Sequence, residues 1–293
     1  VNLETNKSLA RYSTFMVGGP ADYFISATSQ EEIIEAIKFA HQKAIPFILI
    51  GGGSNIIFDD LGFRGLVILN QSQDFSVSND SITADSGMRV SKLIKIAQEH
   101  NLNGLEPWVG LPGTFGGAIR GNAGCHGLET KDILTSATLL DPKTLQVIKI
   151  TPQELQYSYR ESSIKHSDHL VLDGTIKLQK NALSKEETQA LIKENSLKRI
   201  TTQPRGLTCG SFFKNPPDNS AGRLIQEAGL KGFILDKAQI SDKHANFFLN
   251  LGGATADNIK TLARTARQKV QASSGITLLE EVQIYDQHGK TKL

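Results

Sequence analysis

Ile33, Ile34, Ile37 and Ala40 recur at helical spacing, and Ser29 with Glu32 forms a capping-box pattern just before them. That predicts a helix ending near Lys43. Residues 46–50 (PFILI) then read as a buried strand, and 65–70 (GLVILN) as another. Alternation over 76–85, with Asn79-Asp80 in its middle, predicts a hairpin. Val90, Leu93, Ile94 and Ala97 mark a second helix, stopped near 101–104. Residues 104–127 show neither period and read as loop with one short helix. Two apolar runs around Asp141–Thr144 predict a second hairpin over 133–150.

Thr151, Pro152 and Glu154 carry the signature of a helix start. Residues 169–180 read as a strand, and Ser184 with Glu187 caps a helix running to about Arg199. The remainder reads as a helix at 221–230, strands at 232–235 (GFIL) and 245–250 (ANFFLN), a helix over 256–271 and a last strand at 277–285 (TLLEEVQIY). The expected fold is α+β, with a seam near 181–200. Strands dominate before it, and a compact α+β unit follows.

Composition narrows the function classes. Thirty-two basic against 30 acidic residues leave a net charge of +2, without the basic excess of a dedicated nucleic-acid binder. No stretch approaches the roughly 20 apolar residues of a membrane span, and the first residues lack a signal-peptide plan. Two cysteines, Cys125 and Cys209, are too few for a disulfide framework. The expectation is a cytoplasmic protein without nucleic-acid or membrane partners.

Glycines carry the first chemical signal. The run 46–50 ends in Gly51-Gly52-Gly53-Ser54-Asn55. Without Cβ atoms, such a backbone lets an anion approach, and successive amides form a nest for phosphate. The motif is neither a Walker loop nor a Rossmann fingerprint. By itself it is as readily a tight turn. A second loop, GLPGTFGGAIRGNAG at 110–124, adds Gly110, Pro112, Gly113, Thr114, Gly116, Gly117, Asn122, Ala123 and Gly124. Two such loops suit a long ligand such as a dinucleotide. A helix starting near Gly116 would aim its amides at phosphate.

Further segments, taken in order, resemble a known family. STFMVGGPADYF (13–24), LIGGGSNIIFDD (49–60), GLPGTFGGAIRGNAG, YSYRESS (157–163), GSFFKNP (210–216), AGRLIQEAGLKG (221–232), SDKHANFFLN (241–250) and GITLLEEV (275–282) are similar to the UDP-N-acetylenolpyruvoylglucosamine reductases. These are flavoenzymes of peptidoglycan synthesis. The resemblance spans nearly the whole chain. The absence of an extra loop between Tyr159 and Ser211 resembles the shorter, type II branch. CHG at 125–127, YDQHG after the last strand and Trp108 depart from the usual pattern.

The resemblance implies a two-part PCMH-type FAD-binding region followed by a smaller α+β substrate-binding domain. The expected units are 1–68, 69–182 and 183–293, with the last strand returning to the FAD region. It implies FAD as cofactor, held at Gly51–Asn55 and the second glycine loop. NADPH and UDP-N-acetylglucosamine enolpyruvate are the implied substrates, and a monomer is expected.

It also assigns roles. Arg160 matches the residue expected to stabilise enolate charge, for which a guanidinium is suited. Ser211 matches the proton donor, and Glu281 the late glutamate that assists collapse of the enol. If strand alternation holds, Glu280 and Glu281 face opposite ways. Lys214, Asn215, Gln203 and His244 are candidates for substrate contact, with Lys243 and Asn246 behind them. Read without the resemblance, Arg160 is a surface ion pair, Ser211 a loop hydroxyl and Glu281 a strand-edge charge. His166 and His169 lack a metal-site pattern and read as solvated loop. Cys209 lacks a histidine partner in a cysteine-enzyme motif.

Two other classes compete. An oxidase of the same flavin superfamily needs no Arg–Ser–Glu trio. A non-catalytic nucleotide binder needs glycine loops but no Ser211.

Overall fold

The computed structural model describes residues 2–293; Val1, the first residue of the first expected unit, lies outside them. Strand β1 (Leu3–Ser8) pairs antiparallel with β2 (Pro20–Ala27). Helix α1 (Gln30–Lys43) follows. Ser29 Oγ accepts from Glu32 N at 3.3 Å, while the Glu32 carboxylate reaches one residue further back, to Thr28 N at 2.6 Å. Its face of Ile33, Ala36, Ile37 and Ala40 is buried. Each isoleucine so removed from water contributes about 1.5–3 kcal/mol.

Next come β3 (Phe47–Ile50), β4 (Ile56–Phe58) and β5 (Phe63–Asn70). The first sheet has the order β1-β2-β5-β3, with β5 parallel to both β2 and β3. Strand β3 lies at one edge, so its run is only half-buried apart from Ile50.

The second sheet holds the middle of the chain. β6 (Phe75–Ser78) and β7 (Ser81–Asp85) form the expected hairpin, with Asn79 at φ 55°. Helix α2 (Val90–Glu99), β8 (Leu102–Asn103), α3 (Phe115–Gly121), the short pair β9 (Gly124–Cys125) and β10 (Leu128–Glu129), and α4 (Thr130–Ile133) lie before the second hairpin. That hairpin is β11 (Leu134–Leu140) and β12 (Val147–Ile150). β13 (Leu170–Lys177) and β14 (Gln179–Lys180) follow. The sheet order is β12-β11-β13-β7-β6, antiparallel throughout. Leu140 and Leu172 of this sheet share a core with α1 and the first sheet.

One expected helix does not form. Thr151 and Glu154 do make their bonds, Thr151 N and Oγ1 each donating to the carboxylate at 2.7 Å. Only a turn results, because Gln156 takes the left-handed conformation, φ 47°, and the chain turns toward Arg160.

The last third contains α5 (Lys185–Thr202), α6 (Ala221–Glu227), β15 (Ile234–Leu235), β16 (Ala238–Ile240), β17 (Phe248–Asn250), α7 (Ala256–Ser274), β18 (Gln283–Asp286) and β19 (Gly289–Thr291). The long final strand is shorter than its sequence suggests, since 277–282 is extended but irregular. β18 pairs parallel with β4, Ile284 opposite Ile57. Phe15, Val17 and Ile57 from the first third lie in one core with Phe212, Phe213 and the buried face of α7. Asp60 reinforces that contact: its two carboxylate oxygens accept from Ala256 N at 2.8 Å and Asp257 N at 2.9 Å, at the start of α7.

Candidate active site

The two glycine loops meet. A Cβ on Gly51 would run into Thr114 Oγ1, and one on Gly52 would lie 2.8 Å from Gly113 Cα. Gly113, at φ +100°, faces Ser54, whose Oγ would be 2.8 Å from an added Cβ. Gly53, at φ +64°, sits against the carbonyl of Tyr12, where any Cβ would clash. Among the described residues, the N–H groups of Gly52, Gly53 and Ser54 have no protein acceptor. Side-chain-free backbone with unused donors, narrowed between two loops, fits the pyrophosphate of FAD.

The helix-end reading needs correction. α3 starts at Phe115, and its first amides are occupied: Phe115 N donates to Met88 O and Gly116 N to Ser86 O, both at 2.8 Å. Gly116 is needed for close packing, since a Cβ would meet the Ser86 side chain at 2.5 Å. Gly110 lies toward α5, against Arg199. Asn122 is fully buried, and its side chain ties Ser158 O, Glu129 and Lys131 N together, at 3.0, 3.1 and 3.1 Å. It therefore shapes the loop with its side chain and leaves none of it for a ligand. Ala123 packs on the core between the second sheet and helices α2 and α3, and Gly124 offers its carbonyl to Arg160 Nη2 at 3.0 Å.

Arg160 is held in the left-handed region, φ 55°, where an arginine is uncommon. The half-buried Lys165 donates from Nζ to the Arg160 carbonyl and fixes the turn. Arg160 Nε lies 3.0 Å from Glu281 Oε1. Its N–H is not aimed at that oxygen, and Nε is the one buried side-chain polar atom among the described residues without a hydrogen-bond partner. The contact is charge against charge, with a donor left over.

Glu281 and Ser211 come together through backbone. Glu281 N donates to Phe212 O at 2.9 Å, and Phe213 bridges Glu280. On the other side Ser211 bridges Phe247, and Phe212 N donates to Asn246 O at 2.8 Å. Ser211 is half-buried, and its hydroxyl has no hydrogen-bond partner among the described residues. A loop hydroxyl satisfying nearby backbone is therefore not what the structure contains. Glu280 faces away, to Arg267 Nη1 at 3.0 Å. The two glutamates do point to different partners. The first loop joins this assembly too: Asn55 Nδ2 donates to Glu281 O at 3.1 Å, and Gln283 N to Asn55 O at 3.0 Å.

Burial raises the carboxyl pKa of Glu281 even though Arg160, Lys165 and Lys214 pull it down. The same burial pushes the Lys165 ammonium down to about 8. Glu161 pairs with Lys214 and lies 3.1 Å from His166 Nε2. Its own pKa is lowered by these neighbours against the opposing effect of burial. Lys165, Lys214 and Glu161 thus form a charged cluster around Arg160. Sequence reasoning missed Lys165, whose five-residue offset from Arg160 carries no signal outside the folded turn.

Other candidates divide. Lys214 is in the cluster. Asn215 Oδ1 accepts from Ala221 N at 3.0 Å and caps α6. The His244 ring packs on Phe247 with Nδ1 accepting from Asn246 N at 3.3 Å, and burial lowers its pKa. Asn246 grips both Phe213 N and Phe213 O, at 3.0 and 2.8 Å. These three support the Ser211 segment. Gln203 caps the end of α5 and is half-buried. Burial pushes the Cys209 thiol well up, away from thiolate chemistry. A cavity of about 520 Å³ opens beside Arg160, between Tyr159 and the 124–132 segment; Ser211 and Glu281 do not line it. Trp108, one of the departures, lies fully buried beneath that segment, its Nε1 donating to Leu128 O at 3.3 Å.

Comparison with known proteins agrees with this architecture. Residues 21–148 match the model of an FAD binding domain, and 203–285 that of the UDP-N-acetylenolpyruvoylglucosamine reductase C-terminal domain. The UDP-N-acetylenolpyruvoylglucosamine reductase of Chlamydia abortus is 41% identical over 278 residues, 94% of this chain and 92% of that protein. The crystal structure of a UDP-N-acetylenolpyruvylglucosamine reductase from Thermus caldophilus superposes with a TM-score of 0.81 at 31% identity, covering 97% of this chain and 98% of the other. The BBE-like 1 protein of Physcomitrella patens, at 13% identity and a TM-score of 0.58 over 94% of this chain and 87% of the other, shares the fold. With both domains matched and identity sustained over nearly its full length, the chain belongs to the UDP-N-acetylenolpyruvoylglucosamine reductase family, whose members are FAD-dependent oxidoreductases.

Proposed function

We propose that Arg160, Ser211 and Glu281 carry the reduction of UDP-N-acetylglucosamine enolpyruvate to UDP-N-acetylmuramate, with NADPH as the electron source. The observation that carries this assignment is the meeting of three distant segments. Arg160 Nε stands 3.0 Å from Glu281, whose amide bonds the residue after Ser211. The Gly51–Asn55 and Gly113–Thr114 loops would hold FAD, which would supply hydride transfer from NADPH to the terminal carbon of the enol ether.

The protein's own groups handle the charge and the proton. Arg160 is permanently cationic, so it suits the substrate carboxylate and the negative charge developing beside it. The free Ser211 hydroxyl donates a proton to the neighbouring carbon. Arrival of a substrate carboxylate at Arg160 brings a second negative charge close to Glu281. Like charge drives Glu281, already raised by burial, further toward its protonated form. A protonated Glu281 then hydrogen-bonds the developing enolate rather than repelling it. Lys214, freed from Glu161 by a competing anion, is the substrate contact this reading favours.

Among the described residues no helix is long and apolar enough to cross a membrane. The reading places the enzyme in the cytoplasm as a monomer of three units, 1–68, 69–182 and 183–293. It acts there in precursor synthesis for the peptidoglycan that supports cell shape and division. Oxidation of NADPH that requires the enolpyruvyl substrate, with the lactyl ether as product, tests it. Flavin-loaded protein that oxidises NADPH only with oxygen would indicate an oxidase instead.

A further inference from the structure

Arg89 is a cation in an unfavourable place. It is the N-cap residue of α2, yet its side chain makes no capping bond. A positive charge at a helix N-terminus opposes the helix dipole, and arginine is not among the residues that cap well. Among the described residues its guanidinium has no carboxylate partner and no hydrogen bond. The group stands at the junction of the two glycine loops. A Cβ on Gly52 would lie 3.1 Å from Arg89 Nη1 and 2.8 Å from Gly113 Cα. The backbone around it is fixed: Arg89 bridges Thr114, and Val90 N donates to Gly113 O at 3.2 Å.

The cradle itself is neutral. Gly52, Gly53 and Ser54 offer amides, and Ser54 and Thr114 hydroxyls, but none brings a charge. A pyrophosphate carries two negative charges, and charge-assisted bonds are about twice as strong as neutral ones. We propose that Arg89 is a cofactor-binding residue whose guanidinium supplies the positive charge of the FAD pyrophosphate site. A local cost to α2 is thereby exchanged for cofactor affinity. The proposal depends on FAD binding alone and is independent of the roles given to Arg160, Ser211 and Glu281.

Arg89→Ser and Arg89→Lys test it in opposite senses. Serine caps a helix well, so in the absence of added flavin Arg89→Ser should unfold at the wild-type temperature or above it. Its FAD dissociation constant, from recovery of flavin fluorescence on dilution of the holoenzyme, should rise about tenfold, which is about 1.4 kcal/mol. Arg89→Lys keeps the charge without the fork and should fall between the two. Added salt should weaken flavin binding more in the wild type than in Arg89→Ser. The phosphates of NADPH and of the nucleotide sugar offer the same chemistry, so Michaelis constants are measured at saturating FAD. A rise in either of these with an unchanged FAD dissociation constant overturns the proposal. So does an unchanged FAD dissociation constant in both variants.

Discussion

Replacing Ser211 by alanine removes one oxygen atom that the fold does not use. The hydroxyl is half-buried and has no partner among the described residues, so no protein hydrogen bond is lost. The segment is held by backbone bonds on both sides, which alanine keeps. Stability should therefore change by less than about 0.5 kcal/mol. Loss of a positioned proton donor costs about 10²- to 10⁴-fold in rate. At about 1.36 kcal/mol per decade, that is roughly 2.7–5.4 kcal/mol of barrier. The two numbers differ by several-fold, and the difference is the prediction. Urea unfolding measures the first. Stopped-flow flavin absorbance measures the second and separates the half-reactions. Reduction by NADPH should proceed at the wild-type rate, whereas reoxidation by the enolpyruvyl substrate should fail. Ser211→Cys should recover part of the loss, since a thiol with a reference pKa of about 8.5 donates from nearly the same place. Rapid reoxidation of Ser211→Ala with normal lactyl product would remove Ser211 from the chemistry. Equal damage to both half-reactions would make it a structural residue.

Arg160→Lys keeps a charge but loses the planar fork, and should lower substrate-dependent turnover about 100-fold, or roughly 3 kcal/mol, with FAD content unchanged; steady-state kinetics with wild-type turnover would refute it. The raised pKa of Glu281 means that its protonated form is favoured in the fold, so the stabilisation is present at low pH and is lost as pH rises through that value. If the protonated acid is the active form, turnover falls over the same rise, and a Glu281→Gln enzyme that kept the wild-type pH profile would exclude it. Gly53→Ala forces a Cβ against the Tyr12 carbonyl at φ +64° and should abolish flavin retention, read from the absorbance of the purified protein. Asp60→Ala removes both acceptors from the start of α7 and should lower stability by about 0.5–2 kcal/mol in urea titrations, with the site chemistry little changed.

Local signals in the sequence were reliable where one short segment decides the outcome. Ser184 and Glu187 make their reciprocal cap, and Asn79 turns its hairpin. They misled where a distant demand prevails. Thr151 N and Oγ1 both bond the Glu154 carboxylate, as at a helix start, but the chain then turns toward Arg160. The 277–282 stretch looks like a strand, yet its neighbours are the Ser211 segment and Asn55 rather than a regular ladder. β1, LETNKS, gave no pattern because it is a mostly exposed edge strand. Arg160, Ser211 and Glu281 were legible only through family resemblance. Lys165 and Glu161 were not legible, because their significance lies in which charges surround them after folding.

That dependence on long-range contact also ties the first glycine loop to Glu281. Asn55 ends the loop whose amides line the cofactor cradle. The same residue receives Gln283 N and donates to Glu281 O. Immediately beyond it, β4 and β18 run parallel, with Gln283 opposite Ile56. A movement of the cradle therefore moves Glu281, and with it the Phe212 carbonyl that Glu281 N bonds. Ser211 is reached through one more peptide. Arg160 comes from the turn between β12 and β13, and Lys165 holds its carbonyl rather than its guanidinium. Ser211 and Glu281, proposed to handle the proton, are thus tied to the Gly51–Asn55 loop, whereas Arg160 is carried by a separate turn. Misplacement by about 1 Å costs on the order of 100-fold in rate. Tying the first glycine loop and Glu281, the proposed acid, to one asparagine removes one source of such error. Leaving Arg160 on its own turn lets the guanidinium meet a substrate carboxylate without disturbing the cofactor cradle.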